Sequence, residues 1–212
     1  MKLLGFLKDT KIRDIPWIPM ILEPRETIRE VLRTNPRKNV ILLGILYGLS
    51  YGVAKILSSE NIVLLFNPVA LLLVLLIASI FGLVYIHFLG GLNSIIGHWL
   101  GGKGGWKELT AAWAYSSIIT LLFNSLLIMF IAVSMLAGAI FGFKEVAENQ
   151  VIILISNITS VFALLISIIN FIILVVAVSE AHKFSKWRAL VSVALPGLIL
   201  AAVLIAIIFI SS

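Results

Sequence analysis

Cysteine is absent from the 212 residues, which excludes disulfides, thiolate metal centres and cysteine redox chemistry. Charge is nearly as scarce: Asp, Glu, Lys and Arg make up 12% of the chain, about half the share usual in soluble domains. None of these residues lies deep inside an apolar run, so the buried charge that ion-coupled carriers place within a span is missing. Hydrolase and zinc-protease patterns such as GxSxG and HExxH do not occur, and no catalytic, cofactor-binding or metal-binding residues are expected. The N-terminus, MKLLGFLKDTKIRDIP, lacks the apolar core of a secretory signal, because Lys8 and Asp9 interrupt its few apolar residues. The first long apolar run is therefore expected to be an uncleaved anchor.

What is present is mostly hydrocarbon, at 61% hydrophobic residues. A helix needs about 20 mainly apolar residues to cross about 30 Å of lipid core, with every backbone N–H and C=O bonded within it. Five stretches qualify, at residues 39–57, 69–89 (extending toward 100), 107–137, 150–180 and 187–210. They are separated by SSENIVLLFN, GGKGGW, GAIFGFKEVAEN and AHKFSKW, each with a Gly, Asn or charge that ends the apolar run. The expected fold class is all-α: a polytopic membrane protein, a bundle of five transmembrane helices with a short amphipathic N-terminal cytoplasmic helix. The expected division is a basic cytoplasmic arm over residues 1–38 and a five-helix transmembrane domain over residues 39–212.

Charge sets the orientation. Residues 1–38 hold nine of the sixteen Lys and Arg; Lys103, Lys107, Lys183, Lys186 and Arg188 bring that side to fourteen, leaving Lys55 and Lys144 on the other. Basic loops stay in the cytoplasm, so the N-terminus is expected inside and the C-terminus outside, as an odd number of crossings requires. A helix from 69 to 100 would be about 48 Å long, longer than a straight crossing needs, with the excess on the cytoplasmic side. Residues 90–116 are semi-polar and carry Trp99, Trp106 and Trp113, the residue type that sits at headgroup level. This segment reads as a helical hairpin with its tip at the cytoplasmic interface and a kink near Gly90 and Gly91.

In the arm, Pro24 suits the first turn of a helix and Asn35-Pro36 ends it. Ile28, Val31 and Leu32 form a narrow apolar face, Arg25, Arg29 and Arg33 run down one flank, and Glu26 and Glu30 point away. Preceded by PWIPMIL with Trp17, such a helix suits the inner membrane surface, where each Arg near anionic lipid contributes about 1 kcal/mol. Packing on the bundle's own cytoplasmic face is the other placement. Lys103, Lys107, Lys186 and Arg188 join these arginines as expected lipid or partner contacts.

Small residues mark expected packing strips. Gly44, Gly48 and Gly52 recur every four residues in the first run, and Ser156, Ser160, Ala163, Ser167, Asn170 and Ala177 form a seam along the fourth. Asn157 borders the seam and Asn124 lies midway along the third run. These polar groups read as interhelical hydrogen bonding or, alternatively, as the path of a small-solute permease or transport accessory protein. His87, His98 and His182 are too scattered in sequence for a metal site and read as interfacial. Gly97 to Gly104 nearly spells a phosphate-binding loop, but Gly104 stands where Ser or Thr is required, so Gly101, Gly102, Lys103 and Gly104 read as a tight helix-to-helix turn.

Three segments resemble the Yip family, the Ypt-interacting membrane proteins, in the broad form that includes prokaryotic members. They are WIPMILEPRETIREVLRTNP, HWLGGKGGWKELTAAWAYS and SEAHKFSKWRALVSVALPGLI, the last with Ser185, Arg188, Ala189 and Pro196 in the expected places. The resemblance runs over about residues 17–210. It implies a five-span bundle with a cytoplasmic arm, no catalytic residues, and a location in the plasma or inner membrane of a prokaryote. Eukaryotic relatives bind prenylated small GTPases and organise secretory-pathway membranes; their cytoplasmic N-terminal region is longer than the fewer than 40 residues here, so GTPase binding is not carried over. The expected function is non-enzymatic: membrane organisation, or partner and lipid binding at the cytoplasmic face. Membrane lipids, an unidentified protein partner or self-association are the expected contacts, with no nucleic acid.

Overall fold

The computed structural model describes residues 17–57, 67–141 and 150–211. The first sixteen residues of the arm, residues 58–66 and 142–149 with Lys144, and the side chains of Trp17 and Ser156 lie outside the described residues. Among the described residues there are seven helices and no strand: α1 (Trp17–Leu22), α2 (Pro24–Thr34), α3 (Val40–Leu57), α4 (Pro68–Trp99), α5 (Trp106–Phe141), α6 (Gln150–His182) and α7 (Lys186–Ser211). The five apolar runs coincide with α3 to α7, because a run that satisfies its own backbone continues until a capping residue stops it. Pro68–Trp99, Trp106–Val133 and Asn157–His182 are long and apolar enough to cross a membrane, and Val40–Ile56 is a shorter apolar helix.

The stops are chemical. Pro24 opens α2 at its first turn, where its missing N–H removes no bond. Asn35, extended before Pro36, ends it, as a residue preceding proline favours. Asn39 then takes a left-handed turn (φ 58°) into α3, a conformation Asn tolerates better than most residues. Asn67 caps α4 by accepting from the N–H groups of Val69 (3.1 Å) and Ala70 (3.2 Å). α4 stays helical through Gly90 and Gly91, where the sequence suggests a kink. Gly90 serves a close approach: a Cβ there would lie 2.7 Å from the Cα of Thr110 on α5.

The residues group into two compact units. The first comprises the described residues up to Val40, Tyr85–Ser116 and those from Ile172 on. Its core holds Ile28, Ile86, Leu109, Ala111, Ala112, Ala114, Tyr115, Leu174, Ala177, Val178 and Ala189, all buried. The alanines keep α5 thin where it meets its neighbours. The Tyr115 hydroxyl donates to the Lys38 carbonyl (3.2 Å), tying the end of the arm to α5. Tyr115→Phe is expected to cost about 1 kcal/mol in thermal unfolding of the detergent-solubilised protein; an unchanged midpoint would mean that this bond contributes nothing.

The second unit comprises Ile41–Val84 and Ser117–Phe171. In it the glycine strip of α3 lies against α4. A Cβ on Gly44 would stand 2.9 Å from Leu83 Cδ2, one on Gly48 would meet the Ala78 carbonyl, and one on Gly52 would stand 2.6 Å from Ala78 Cβ. Gly82 completes the fit from α4, where its own Cβ would lie 2.6 Å from Gly48 Cα. Two backbones thus touch with no side chain between them, which is how helices gain dispersion contact where no hydrophobic effect drives them together. Asn124 donates to Ser50 Oγ (3.4 Å) in the same unit. On the outside, Leu72, Leu76, Ile80 and Phe81 of α4 and Val161, Phe162, Leu164 and Leu165 of α6 are exposed. A continuous apolar surface of this kind suits hydrocarbon as solvent.

Candidate functional site

The polar ends of α4, α6 and α7 meet in the first unit, and two turns, each with a left-handed residue followed by an N–H bonded five residues back, set their geometry. After α4, Gly101 is left-handed (φ 83°); its N–H reaches the His98 carbonyl (2.9 Å) and the Gly102 N–H the Gly97 carbonyl (2.8 Å), closing the helix on itself. After α6, Lys183 holds the left-handed place (φ 56°) and the Phe184 N–H reaches the Ser179 carbonyl (3.2 Å). The turns are bonded to each other. Lys103 N–H donates to the His182 carbonyl (3.1 Å), Gly104 N–H to His182 Nδ1 (3.1 Å), and Arg188 Nη1 to the Leu100 carbonyl (3.4 Å).

His182 is the centre of this join. Its ring is fully buried, with Nε2 3.1 Å from the Asn93 carbonyl. A donor at Nδ1 and an acceptor at Nε2 together fit the neutral ring with its hydrogen on Nε2. Gly97 and Gly102 make the space: a Cβ on either would run into the imidazole. Phe184 (ring centroids 4.8 Å apart) and His98 (5.8 Å) pack against it. Asn93, also fully buried, accepts from Ser192 Oγ of α7 (3.2 Å) and donates to the Leu89 carbonyl (3.2 Å). His182 is thus enclosed by protein, with both ring nitrogens partnered. Among the described residues, no group of three His, Asp or Glu comes together to hold a metal.

Two residues before His182, Glu180 anchors the arm. Its side chain is only 7% exposed and receives Arg25 Nε (3.1 Å), Arg29 Nε (2.8 Å) and Lys183 Nζ (3.0 Å). The hydrogen bond to Glu180, and then its charge, hold the Arg29 guanidinium above its ordinary pKa. Thr27 and Ile28 of α2 are buried, while Arg25, Arg29, Arg33, Glu26 and Glu30 are exposed. The apolar face of α2 thus meets protein, with Ile28 wholly covered. On its other flank a cleft of about 210 Å³ is lined by Glu23, Glu26, Glu30, Lys38 and Tyr115.

The basic residues singled out from sequence lie around the joined turns: Lys103, Lys107, Lys186 and Arg188 are all exposed. Beside them stand three exposed indoles, Trp99 (76%), Trp106 (59%) and Trp187 (78%). Trp106 donates to the His87 carbonyl (3.1 Å). Trp113 is half-buried and set edge-on to Tyr85 at 6.1 Å, the packing aromatic pairs prefer. Along the α6 seam, Ala177 is buried, Asn170 half-buried, and Asn157, Ser160 and Ser167 exposed; Ser167 Oγ bonds back to the Ala163 carbonyl (2.8 Å). Sequence reasoning missed Glu180 as an anchor, Asn93 and Ser192 as ties, and Trp187 as part of the aromatic rim. One signal was available: Glu180 is the only acid after Glu148, and it stands at the end of an apolar run, where a carboxylate needs cations.

A family model, the Yip1 domain, matches residues 18–208. No curated protein and no solved structure matches the chain.

Proposed function

We propose, on the premise that this chain belongs to the Yip1 domain family, that it is a non-enzymatic integral membrane protein working through contacts at its cytoplasmic face. In this reading α3 to α7 cross the bilayer, residues 1–38 form the cytoplasmic arm, residues 39–212 form the five-helix domain, and the C-terminus lies outside. The lopsided count of Lys and Arg supports that orientation, and we assign the protein to the plasma or inner membrane of a prokaryotic cell. Its role is to organise the membrane or hold a protein or lipid partner, through Arg33, Lys103, Lys107, Lys186 and Arg188. Arg25 and Arg29 set the arm in place by their bonds to Glu180.

The observation that carries this reading is the join at His182. It fixes the two basic turns to each other while leaving Lys103, Lys107, Lys186 and Arg188 exposed, an arrangement that presents charge on a rigid base. Cross-linking and co-purification from native membrane is expected to recover a reproducible protein or lipid partner. That recovery should fall when the four cations are replaced together by Gln. Finding no partner, together with solute flux in vesicles that Asn157→Leu and Asn170→Leu abolish, would overturn it in favour of a permease.

A further inference from the structure

The four exposed cations sit at a boundary. One helical turn before Trp99 on α4 lies the exposed Ile95, and one turn after Trp187 on α7 lies the exposed Val191. Trp106 packs toward α4, close enough that a Cβ on Gly91 would lie 3.6 Å from its Nε1. Each indole therefore ends or borders an outward-facing apolar stripe. Lys103 stands four residues beyond Trp99, Lys107 is next to Trp106, and Lys186 and Arg188 flank Trp187. An apolar stripe that gives way to tryptophan and cation side by side matches the environments met on leaving a bilayer, acyl chains and then the interface with its phosphates. Flexible amphipathic stems let Lys and Arg reach back along that boundary.

Two of the arm's cations are otherwise engaged. Arg25 and Arg29 both bond Glu180, as does Lys183, so the carboxylate that could have neutralised the turn cations is already taken up by three partners. The other acid on these turns is Glu108, on the first turn of α5. Around the rim the balance of charge is positive, and at this level of the membrane the complementary charge is the phosphate of an anionic phospholipid.

Resting on the proposed cytoplasmic placement of these turns, we infer that the ring formed by Lys103, Lys107, Lys186 and Arg188 with Trp99, Trp106 and Trp187 is a headgroup-binding surface that gathers anionic phospholipid around the protein. The headgroup phosphates pair with the cations while the indoles hold the helix ends at the interface. A protein partner would dock on the water-facing end, not on a rim continuous with hydrocarbon, and Arg25 and Arg29 take no part because Glu180 holds them.

The test uses the full chain reconstituted into vesicles of phosphatidylcholine with a minor share of phosphatidylglycerol, the bromine label carried on the acyl chains of one lipid or the other. Quenching of tryptophan fluorescence by the brominated anionic lipid should exceed that by an equal share of brominated phosphatidylcholine. Replacing all four turn cations by Gln should bring the two to parity, with affinity for the anionic lipid falling about fivefold for each charge removed. The corresponding Lys→Arg variant, Arg188 kept, should retain the preference and controls for folding. Parity in the unmodified protein or preference retained in the Gln variant would each overturn the inference. So would abolition by inorganic phosphate but not by chloride at matched ionic strength, which would mean that the surface reads soluble phosphate. If the anionic preference fails while a protein partner is still recovered through the same cations, this inference falls and the broader proposal stands; losing both removes both.

Discussion

Replacing His182 by alanine is expected to destabilise the protein by about 3–5 kcal/mol, since it removes a buried ring and leaves a buried donor unpaired. The Gly104 N–H would lose its acceptor and the Asn93 carbonyl its partner, and the slot between Gly97 and Gly102 would stand empty. The converse experiment fills the slot. Gly97→Ala drives a methyl into the imidazole, an overpacking cost of about 1–3 kcal/mol. The two changes must then be strongly non-additive, because once the ring is gone the methyl has room. Thermal unfolding of the two single variants and the double variant in detergent reads the effect directly. Additive losses would show that the ring and the glycine do not share one space.

The second large effect concerns α3 and α4. Gly48→Ala places a methyl against the Ala78 carbonyl, and Gly82→Ala places one against the backbone of Gly44 and Gly48. Backbone cannot swing aside as a side chain can, so each change must part the helices or fail, at a cost of about 1–3 kcal/mol or more. Gly197→Ala in α7 is the control: a Cβ there meets nothing within 4 Å, and alanine's better helix propensity predicts a neutral or slightly stabilising result, by up to about 1 kcal/mol. Equal midpoints for all three variants would remove the argument that α3 and α4 are held by backbone contact.

The helices could be read from the sequence because lipid makes two demands at once, a minimum apolar length and internal bonding of every peptide group. The runs at 39–57 and 187–210 meet α3 (Val40–Leu57) and α7 (Lys186–Ser211) almost to the residue. The run at 69–89 stops short of Trp99, because apolar character fades before helix does: Asn93, Ser94 and His98 look like loop residues until their tertiary partners are known. The same limit hid the site. Glu180 and Arg25 are 155 positions apart, and nothing local links them. Gly97 and Gly102 read as turn glycines, and only the packed ring shows that they are hollowed out for His182. The cations at 103, 107, 186 and 188 were visible as charges, but that Arg25 and Arg29 already have an acceptor depends on how α2 docks.

One consequence of the length of α5 concerns where water begins. Its 36 residues make a rod of about 54 Å. Even leaning by about 40°, the steepest inclination common for spanning helices, such a rod still rises about 41 Å along the membrane normal, against a lipid core of about 30 Å. With α5 crossing the bilayer, some two turns must stand clear of the acyl chains, and Lys107 and Glu108 at its start are the residues chemically fitted to be that hydrated collar.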